Sequence, residues 1–446
     1  MSSVSGALSR VFDDFDLRSQ KAVVAAVSGG GDSTALLLLL QDHIHRRGLP
    51  IHIVAVTIDH GLRRESAVEA RAVAAFCAAH GIAHRTFRWE GEKPVTGLSA
   101  AARAARYALL GEAAEAARTD VVFTGHTLDD QVETVAMRRA RGEGRGLAGM
   151  APATLYRGRT WILRPLIETG RETLRDYLRL KDIPWIEDPS NENPRYERVR
   201  ARRLLANRQA AAGVTLDGIR TAQGARIALG EQAADLIDNH LSRASPGLYR
   251  IGREFLDAAD HDAALYALRI LLATVGGGQH LPEITRARAL FTEIRNGCSR
   301  ATLSRTLIDA RKRHIWLHRE RRGLPAPRPI SADMIWDNRF RVKSGEKTPT
   351  DILIAHGASL KKNQIAECDA PASLAAAAHA AEPILFREGA AGAESTRREL
   401  SVSLMPVIAP FFDFLPSFDL APARAVAKLT GSENVLASPL AGHKYI

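Results

Sequence analysis

The chain has 446 residues, of which 46% are hydrophobic and 25% charged, a composition typical of a globular protein with about two or three domains. Its net charge of +11 favours a polyanionic partner such as RNA, although a merely basic protein would carry the same surplus. The scattered Cys77, Cys298 and Cys368 exclude a disulfide framework and a cysteine zinc site. We expect a cytoplasmic protein with no signal peptide and no membrane segment.

The first part of the chain alternates between apolar runs and helical patterns. The predicted strands are Lys21–Val27, Ile51–Ile58, Ala83–Trp89 and Val121–Gly125. The predicted helices are Thr34–Arg47, Glu65–His80, Leu98–Arg118, Leu128–Arg139 and Arg171–Lys181. This alternation predicts an α/β fold with a doubly wound, Rossmann-like parallel sheet, which binds its ligands at the carboxyl ends of the strands.

The rest of the chain is predicted to form two smaller parts. Residues 216–325 have a mostly helical pattern, and the proline-rich segment Gly323–Pro329 resembles a linker. We therefore predict three domains: 1–215, 216–325 and 326–446. The last is expected to be a small α+β domain.

A glycine-rich loop, Ser28-Gly29-Gly30-Gly31-Asp32-Ser33, follows the first predicted strand and opens a helix. It lacks the lysine of a P-loop and the spacing of a dinucleotide-binding turn. Glycines let backbone N–H groups approach an anion, and the two serines add hydroxyl donors. Asp32 would repel a bare phosphate but suits a site that also holds Mg²⁺. A simple glycine turn, capped by Asp32 or Ser33, is the alternative.

A second block, GHTLDDQVETVAMRRARGEGRGLAGM, starts at Gly125. The spacing places His126, Asp129, Asp130 and Glu133 on one helix face. An acidic residue near a helix N-terminus interacts favourably with the helix dipole, and this effect alone would explain one of the three carboxylates. Three carboxylates on one face repel each other, so we expect a cation between them, either Mg²⁺ or an ammonium group.

These motifs resemble a known family. SGGxDS after a strand is similar to the signature of the PP-loop ATP pyrophosphatases. The second block resembles the HxxDDQxET…GLxGM pattern of the tRNA(Ile)-lysidine synthetases, a family within them. The resemblance extends over nearly all of residues 20 to 205, through IDHGLRRES, AARAARYALL and RPLIETGRETLRDYLRLKDIPWIEDPSNENPRYERVRAR. WDNRFRV, at Trp336–Val342, is similar to the start of a C-terminal domain in some members. Val199 departs from the family, which usually has asparagine there.

The resemblance implies an ATP-dependent ligase that uses Mg²⁺. In that reaction the 2-oxo group of the wobble cytidine of an isoleucine tRNA with a CAU anticodon is adenylated, and free L-lysine then displaces AMP to give lysidine. Residues 1–215 would form the catalytic domain, and the other two domains would contact tRNA. No protein partner is implied, and a homodimer is left open.

The implied site residues fall into four groups. The implied catalytic residues are Asp32, Asp129 and Asp130, and Asp32 is also implied to bind the metal. Those for ATP are Ser28, Gly29, Gly30, Gly31, Asp32, Ser33, Asp59, His60 and His126. Those for lysine are Arg103, Arg106, Asp130 and Glu133. Those for tRNA are Arg195, Arg198, Arg200, Arg202 and Arg203, for which a solvated helix face is the alternative.

Three other functions are compatible with parts of the pattern. A PP-loop enzyme that inserts sulfur into tRNA would commonly use paired cysteines, and no CxxC is present. A glutamine-fed amidating synthetase would need an amidotransferase domain, which nothing here resembles. A non-catalytic RNA-binding protein would need the positive charge but neither Asp32 nor the acidic face.

Overall fold

The computed structural model describes residues 6, 8–63, 65–142, 144–187, 200–202, 214–344, 352–357, 370–387 and 402–441. The chain divides into two compact units. The first comprises Met1–Arg226, Phe414–Phe418 and Leu436–Ile446, and the second comprises Ile227–Asp413 and Asp419–Val435. The assignment of separate roles to residues 1–215, 216–325 and 326–446 stays a prediction, and these boundaries differ from those of the two compact units.

The strands and helices of the described residues are numbered here in chain order. The strands are β1 (Ala22–Ala26), β2 (His52–Asp59), β3 (Ala83–Arg88), β4 (Val121–Thr124), β5 (Ala153–Tyr156), β6 (Thr160–Leu163), β7 (Leu241–Ser245), β8 (Leu248–Gly252), β9 (Arg300–Leu303), β10 (Thr306–Ala310), β11 (His314–Arg319), β12 (Arg328–Pro329), β13 (Ile335–Trp336), β14 (Phe340–Ser344), β15 (Ile352–His356), β16 (Pro383–Arg387), β17 (Val402–Pro406) and β18 (Phe414–Pro416). The helices are α1 (Gly31–Arg46), α2 (Ser66–Ala79), α3 (Leu98–Ala116), α4 (Leu128–Arg139), α5 (Arg171–Leu180), α6 (Leu216–His240), α7 (His261–Gly276), α8 (Ile284–Arg295), α9 (Ala372–His379) and α10 (Leu420–Thr430).

The first unit contains a seven-stranded sheet of order β18-β5-β6-β4-β1-β2-β3. Strands β6, β4, β1, β2 and β3 are parallel, which confirms the predicted α/β fold. The central strands are almost entirely buried because helices cover both faces of such a sheet, whereas β3 at the edge is largely exposed. The switch in strand order lies between β1 and β4, where a doubly wound sheet opens a crevice for ligands.

The sheet is mixed rather than wholly parallel, which corrects the prediction. Strand β5 pairs antiparallel with β6, and β18 pairs antiparallel with β5. The reason is the short turn at Arg157–Gly158, where both residues have positive φ and the chain reverses at once into β6. A parallel neighbour would have required a long crossover connection.

The second unit is also mixed. The segment predicted to be mostly helical contains the five-stranded antiparallel sheet β7-β8-β11-β10-β9 beside its helices, so the helical prediction was incomplete. Two three-stranded sheets, β12-β15-β16 and β13-β14-β17, follow. The predicted linker Gly323–Pro329 ends in a paired strand, because Arg328 and Pro329 face Ile354 and Leu353 of β15.

The WDNRFRV motif forms the hairpin of β13 and β14. Asp337 lies in its turn and is 7% exposed, with its carboxylate fully buried. Arg319 Nε and Arg339 Nε lie 3.0 and 2.7 Å from Asp337 Oδ2. A buried carboxylate requires such paired cations, so the aspartate of the motif is held by an ion-pair network inside this unit. None of the described helices is long and apolar enough to cross a membrane.

Candidate active site

The glycine loop connects β1 to α1 as predicted. The amide of Ser28 donates to Ser33 Oγ at 3.1 Å, and Ser33 Oγ donates to the carbonyl of Gly30 at 3.0 Å. Gly30 is the N-cap of α1, and no side chain of the described residues caps it. The first amides of the helix are therefore available to an anion, and the helix N-terminus adds a positive partial charge.

The segment 183–187 lies against one side of this loop. The amide of Ile186 donates to the carbonyl of Gly29 at 2.9 Å, and a Cβ on Gly31 would lie 3.5 Å from the Trp185 ring. In a trans peptide the N–H points opposite to the C=O. The amide of Gly30 therefore faces away from this segment, toward the side that a phosphate would approach.

Strand β4 brings the second motif to the loop. Gly125 follows β4, and a Cβ at this position would lie 3.0 Å from the carbonyl oxygen of Asp32. Only glycine permits this approach without movement of the backbone. The N-termini of α1 and α4 therefore lie side by side at the switch point of the sheet.

The start of α4 is fixed by hydrogen bonds that the HxxDDQxET pattern encodes. Thr127 is the N-cap, and its amide donates to Asp130 Oδ2 at 2.9 Å, which forms a capping box. Gln131 Nε2 donates to the carbonyl of Met150 at 2.9 Å, and the amide of Met150 donates back to Gln131 Oε1. This pair fixes the GLxGM end of the loop onto α4. Glu133 is only 3% exposed.

Arg171, the first residue of α5, occupies the middle of the acidic residues. Its Nε lies 3.0 Å from Asp32 Oδ2, its Nη2 lies 3.4 Å from Asp130 Oδ1, and its Nη1 lies 3.9 Å from Glu133 Oε1. Its backbone amide donates to Asp129 Oδ2 at 2.7 Å. The structure thus places a guanidinium of the chain where the sequence led us to expect Mg²⁺ or an ammonium group. Arg171 was not among the predicted site residues, and its place in the RPLIETGRETL motif was the only signal for it.

Burial and this guanidinium act in opposite directions on Asp32. Burial raises the pKa of Asp32, the positive charge of Arg171 opposes that rise, and nearby Asp130 and Asp129 add to it. The net effect is a raised pKa. The ionised form of Asp32 would therefore gain strongly from an additional cation.

Arg202, predicted to contact tRNA, lies against the acidic cluster. Its Nε donates to Glu133 Oε1 at 2.7 Å, although the rest of its side chain is 40% exposed. Arg200 is exposed. Arg195, Arg198 and Arg203 lie outside the described residues, as does Val199.

Arg103 and Arg106, predicted to bind lysine, surround Tyr107 on α3. Arg103 lies over the Tyr107 ring, with its guanidinium carbon 5.0 Å from the ring centroid. Burial would raise the pKa of Tyr107, but Arg164, Arg103 and Arg106 outweigh it and lower that pKa to about 8. The lysine contacts of these two arginines stay a prediction.

Asp59 shapes the turn after β2. Its Oδ1 accepts hydrogen bonds from Ser66 Oγ at 2.7 Å and from the amide of Gly61 at 2.8 Å. His60 is half-buried, and burial followed by the charge of Arg106 lowers its pKa. His126 Nδ1 lies 2.9 Å from Thr124 Oγ1. Contacts of these three residues with ATP stay a prediction.

The described residues contain no group of three or more His, Cys, Asp or Glu side chains that could hold a metal ion. Asp32 fits a different kind of site. Mg²⁺ at nucleotide sites commonly takes one or two carboxylates and completes its shell with phosphate oxygens and waters. The donor set at the loop therefore suits a metal that arrives with a nucleotide.

Comparison with known proteins agrees with the sequence motifs. The PP-loop domain family matches residues 2–209. The tRNA(Ile)-lysidine synthase of Mesorhizobium japonicum is 48% identical over 446 residues, which cover 97% of each chain. That of Rhizobium meliloti is 38% identical over 439 residues, which cover 94% of each chain, and that of Brucella ovis is 38% identical over 343 residues, which cover 74% of this chain and 76% of the relative. The chain therefore belongs to the tRNA(Ile)-lysidine synthase family of PP-loop proteins.

Proposed function

We propose that this protein is a ligase that joins lysine to carbon 2 of the wobble cytidine of an isoleucine tRNA with a CAU anticodon. ATP and Mg²⁺ are required, and AMP and pyrophosphate are released. The observation that carries the proposal is the similarity to lysidine synthases along 97% of the chain, which spans both compact units. The glycine loop beside an acidic cluster supplies the chemistry that such a reaction needs.

The first step is adenylation of the cytidine. The 2-oxo oxygen attacks the α-phosphorus of ATP, and the bond to pyrophosphate breaks. The amides at the start of α1 and the hydroxyls of Ser28 and Ser33 would hold the phosphates. Asp32 would hold Mg²⁺ together with phosphate oxygens, which neutralises the leaving group.

The second step is attack by lysine. Its ε-amine forms the carbon–nitrogen bond at carbon 2, and the carbon–oxygen bond breaks so that the oxygen leaves with AMP. Asp130 and Glu133 would hold the ammonium group and accept the proton that it must lose before attack. Asp129 would hold the start of α5 in place, since its carboxylate already accepts the Arg171 amide.

The tRNA would reach this site through basic residues. Arg195, Arg198, Arg200, Arg202 and Arg203 are the proposed phosphate contacts. Because Arg202 also pairs with Glu133, it would connect the tRNA to the lysine site. A location in the cytoplasm, where tRNA is found, fits this function, and homodimer formation stays a prediction.

The structure gives little support to a sulfur-inserting enzyme. Cys77 is buried, and burial raises the pKa of its thiol to about 11, so it would be unreactive near neutral pH. Cys298 is partly exposed, and Cys368 lies outside the described residues. A binding protein without catalysis would need neither Asp32 nor the acidic cluster around Arg171.

Mass spectrometry of tRNA nucleosides tests the proposed function. The purified protein is incubated with ATP, Mg²⁺, L-lysine and an isoleucine tRNA transcript with a CAU anticodon. We expect lysidine only in the complete reaction. A parallel reaction with a methionine tRNA transcript tests selectivity. A sulfur-containing nucleoside, or unmodified tRNA under all conditions, would overturn the proposal.

A further inference from the structure

Four carboxylates meet two guanidiniums at the active site. Asp32, Asp129, Asp130 and Glu133 supply the negative charges, and Arg171 and Arg202 supply the positive ones. The six formal charges leave an excess of two negative charges. Arg171 is 20% exposed and contacts carboxylates from two helices, α1 and α4, whereas Arg202 contacts Glu133 alone among these carboxylates.

One buried acceptor of this cluster is unused. Glu133 Oε2 is buried and has no hydrogen-bond partner among the described residues, while Oε1 accepts from Arg202. An unsatisfied buried carboxylate oxygen is costly. An ammonium group, which has three N–H donors, would satisfy this oxygen.

A divalent cation is a competing occupant. Where no nucleotide supplies phosphate oxygens, Mg²⁺ and Mn²⁺ need several carboxylate oxygens that are free to coordinate. At Asp32 and Asp130 the guanidinium already occupies one oxygen of each, and the other oxygen of Asp130 is used in the capping box. An amine needs only one or two acceptors, so this arrangement disfavours the metal more than the amine.

We propose that Arg171 determines the specificity of this site for an amine. Its guanidinium lies between Asp32, Asp130 and Glu133, in the place that a divalent cation would need in order to bridge them, and as they stand these carboxylates form no metal site. Glu133 is thereby reserved for the ammonium group of the substrate. This role rests on the proposed function, because that function requires both a metal with the nucleotide at Asp32 and an amine at the neighbouring Glu133.

Direct metal binding tests the role of Arg171. Binding of Mn²⁺ to the full chain, without nucleotide, lysine or tRNA, is followed by electron paramagnetic resonance. We expect Arg171→Gln to bind an additional ion, or to bind Mn²⁺ about tenfold or more tightly than wild type, since one positive charge is removed. Arg175→Gln is the matched control, because Arg175 lies one turn further along α5 and, within the described parts of the chain, forms ion pairs only with the exposed Glu172 and Glu187. It should behave as wild type.

A second variant identifies the carboxylates involved. Glu133→Gln in the Arg171→Gln background should return Mn²⁺ binding toward the wild-type level. Arg171→Lys retains the charge and should stay near wild type. If Arg171→Gln is poorly folded by circular dichroism, Arg171→Met, which keeps the length of the side chain, is measured in its place. Unchanged Mn²⁺ binding in a folded neutral variant would overturn the proposal.

Kinetics provide a readout that a merely structural role would not affect. In Arg171→Gln the apparent KM for lysine should rise as Mg²⁺ is raised beyond the concentration that saturates ATP, whereas wild type and Arg175→Gln should show no such rise. A KM independent of Mg²⁺ in all three proteins would contradict metal–amine competition. Failure of wild type to form lysidine would overturn the proposed function instead, and the Mn²⁺ measurement would still report on Arg171.

Discussion

The amide of Ile186 donates a 2.9 Å hydrogen bond to the carbonyl of Gly29, which joins the segment 183–187 to the glycine loop. Gly29 has φ +85°, and a Cβ there would lie 2.7 Å from Ile186 Cδ1. Gly30 has φ −70°, and its nearest neighbour would be Ser28 Oγ at 3.6 Å. A side chain should therefore be tolerated at Gly30 but not at Gly29.

Gly29→Ala should lower the free energy of unfolding by about 1–2 kcal/mol, the cost of a left-handed residue, and the Ile186 side chain must shift to make room for the new Cβ. Gly30→Ala should lower the free energy of unfolding by less than Gly29→Ala does, since Gly30 has an ordinary φ and only the N-cap preference changes. Urea unfolding without nucleotide measures both. Equal losses for the two variants would contradict the described packing of segment 183–187.

Asp32→Ala should abolish pyrophosphate release while the fold is retained. Burial disfavours the ionised form of Asp32, so removal of the carboxylate should change the free energy of unfolding little. The proposed contact with Mg²⁺ is lost. The assay is tRNA-dependent release of pyrophosphate, with the melting temperature as a check on folding. Near-normal release by a folded Asp32→Ala protein would refute the metal role.

Glu133→Gln should weaken lysine binding and leave ATP binding nearly unchanged. A hydrogen bond to a charged group contributes roughly 1.5–3 kcal/mol, so apparent lysine affinity should fall about tenfold to a hundredfold. Saturation kinetics with lysine and with ATP separate the two effects. Loss of ATP affinity with unchanged lysine affinity would move Glu133 to the metal site.

Arg202→Ala should destabilise the protein, because it removes the closest partner of a carboxylate that is 3% exposed. We expect a loss of about 1–3 kcal/mol. The double variant with Glu133→Gln should lose less than the sum of the single variants. Arg200→Ala, at an exposed position, is the control for a general charge effect. Strict additivity would show that the ion pair contributes nothing.

Tyr107→Phe should remove a pH dependence at alkaline pH. The folded pKa of about 8 lies below the ordinary value of 10, so ionised Tyr107 stabilises the fold. That contribution is complete above pH 10, amounts to at most about 3 kcal/mol, and is lost as pH falls through 8. Absorbance at the tyrosinate band should show one ionisation near pH 8 that Tyr107→Phe lacks. Tyr249→Phe should retain it, because the pKa of Tyr249 is raised to about 12.

Much of the fold and the family followed from the sequence alone. The sequence predicted β1 to β4 to within one residue. Strands β1, β2 and β4 are largely apolar because helices cover both faces of the sheet there, whereas β3 is an exposed edge strand. The helix over Leu128–Arg139 was predicted with the bounds that the structure has. The motifs around Asp32 and Asp130 were sufficient to predict the family, which the relatives confirm.

Strand pairing beyond the parallel core was decided by the tertiary structure. The antiparallel β5 and β18 come from segments more than two hundred residues apart in the sequence, and no local pattern predicts their pairing. The strands of the second unit are short and lie between helices, so helical periodicity dominated the sequence signal there.

The contacts of the charged residues were also decided only by the tertiary structure. Arg171 and Arg202 are two among many arginines of a basic chain, and their spacing gives no sign of a buried partner. Folding brings them to Asp32 and Glu133 from 139 and 69 residues away. The sequence determined that a carboxylate cluster would need a cation, because like charges repel. Which cation lies there depends on the packing of α5 against α1 and α4, since an ion pair requires contact in space and leaves no periodic pattern in the chain.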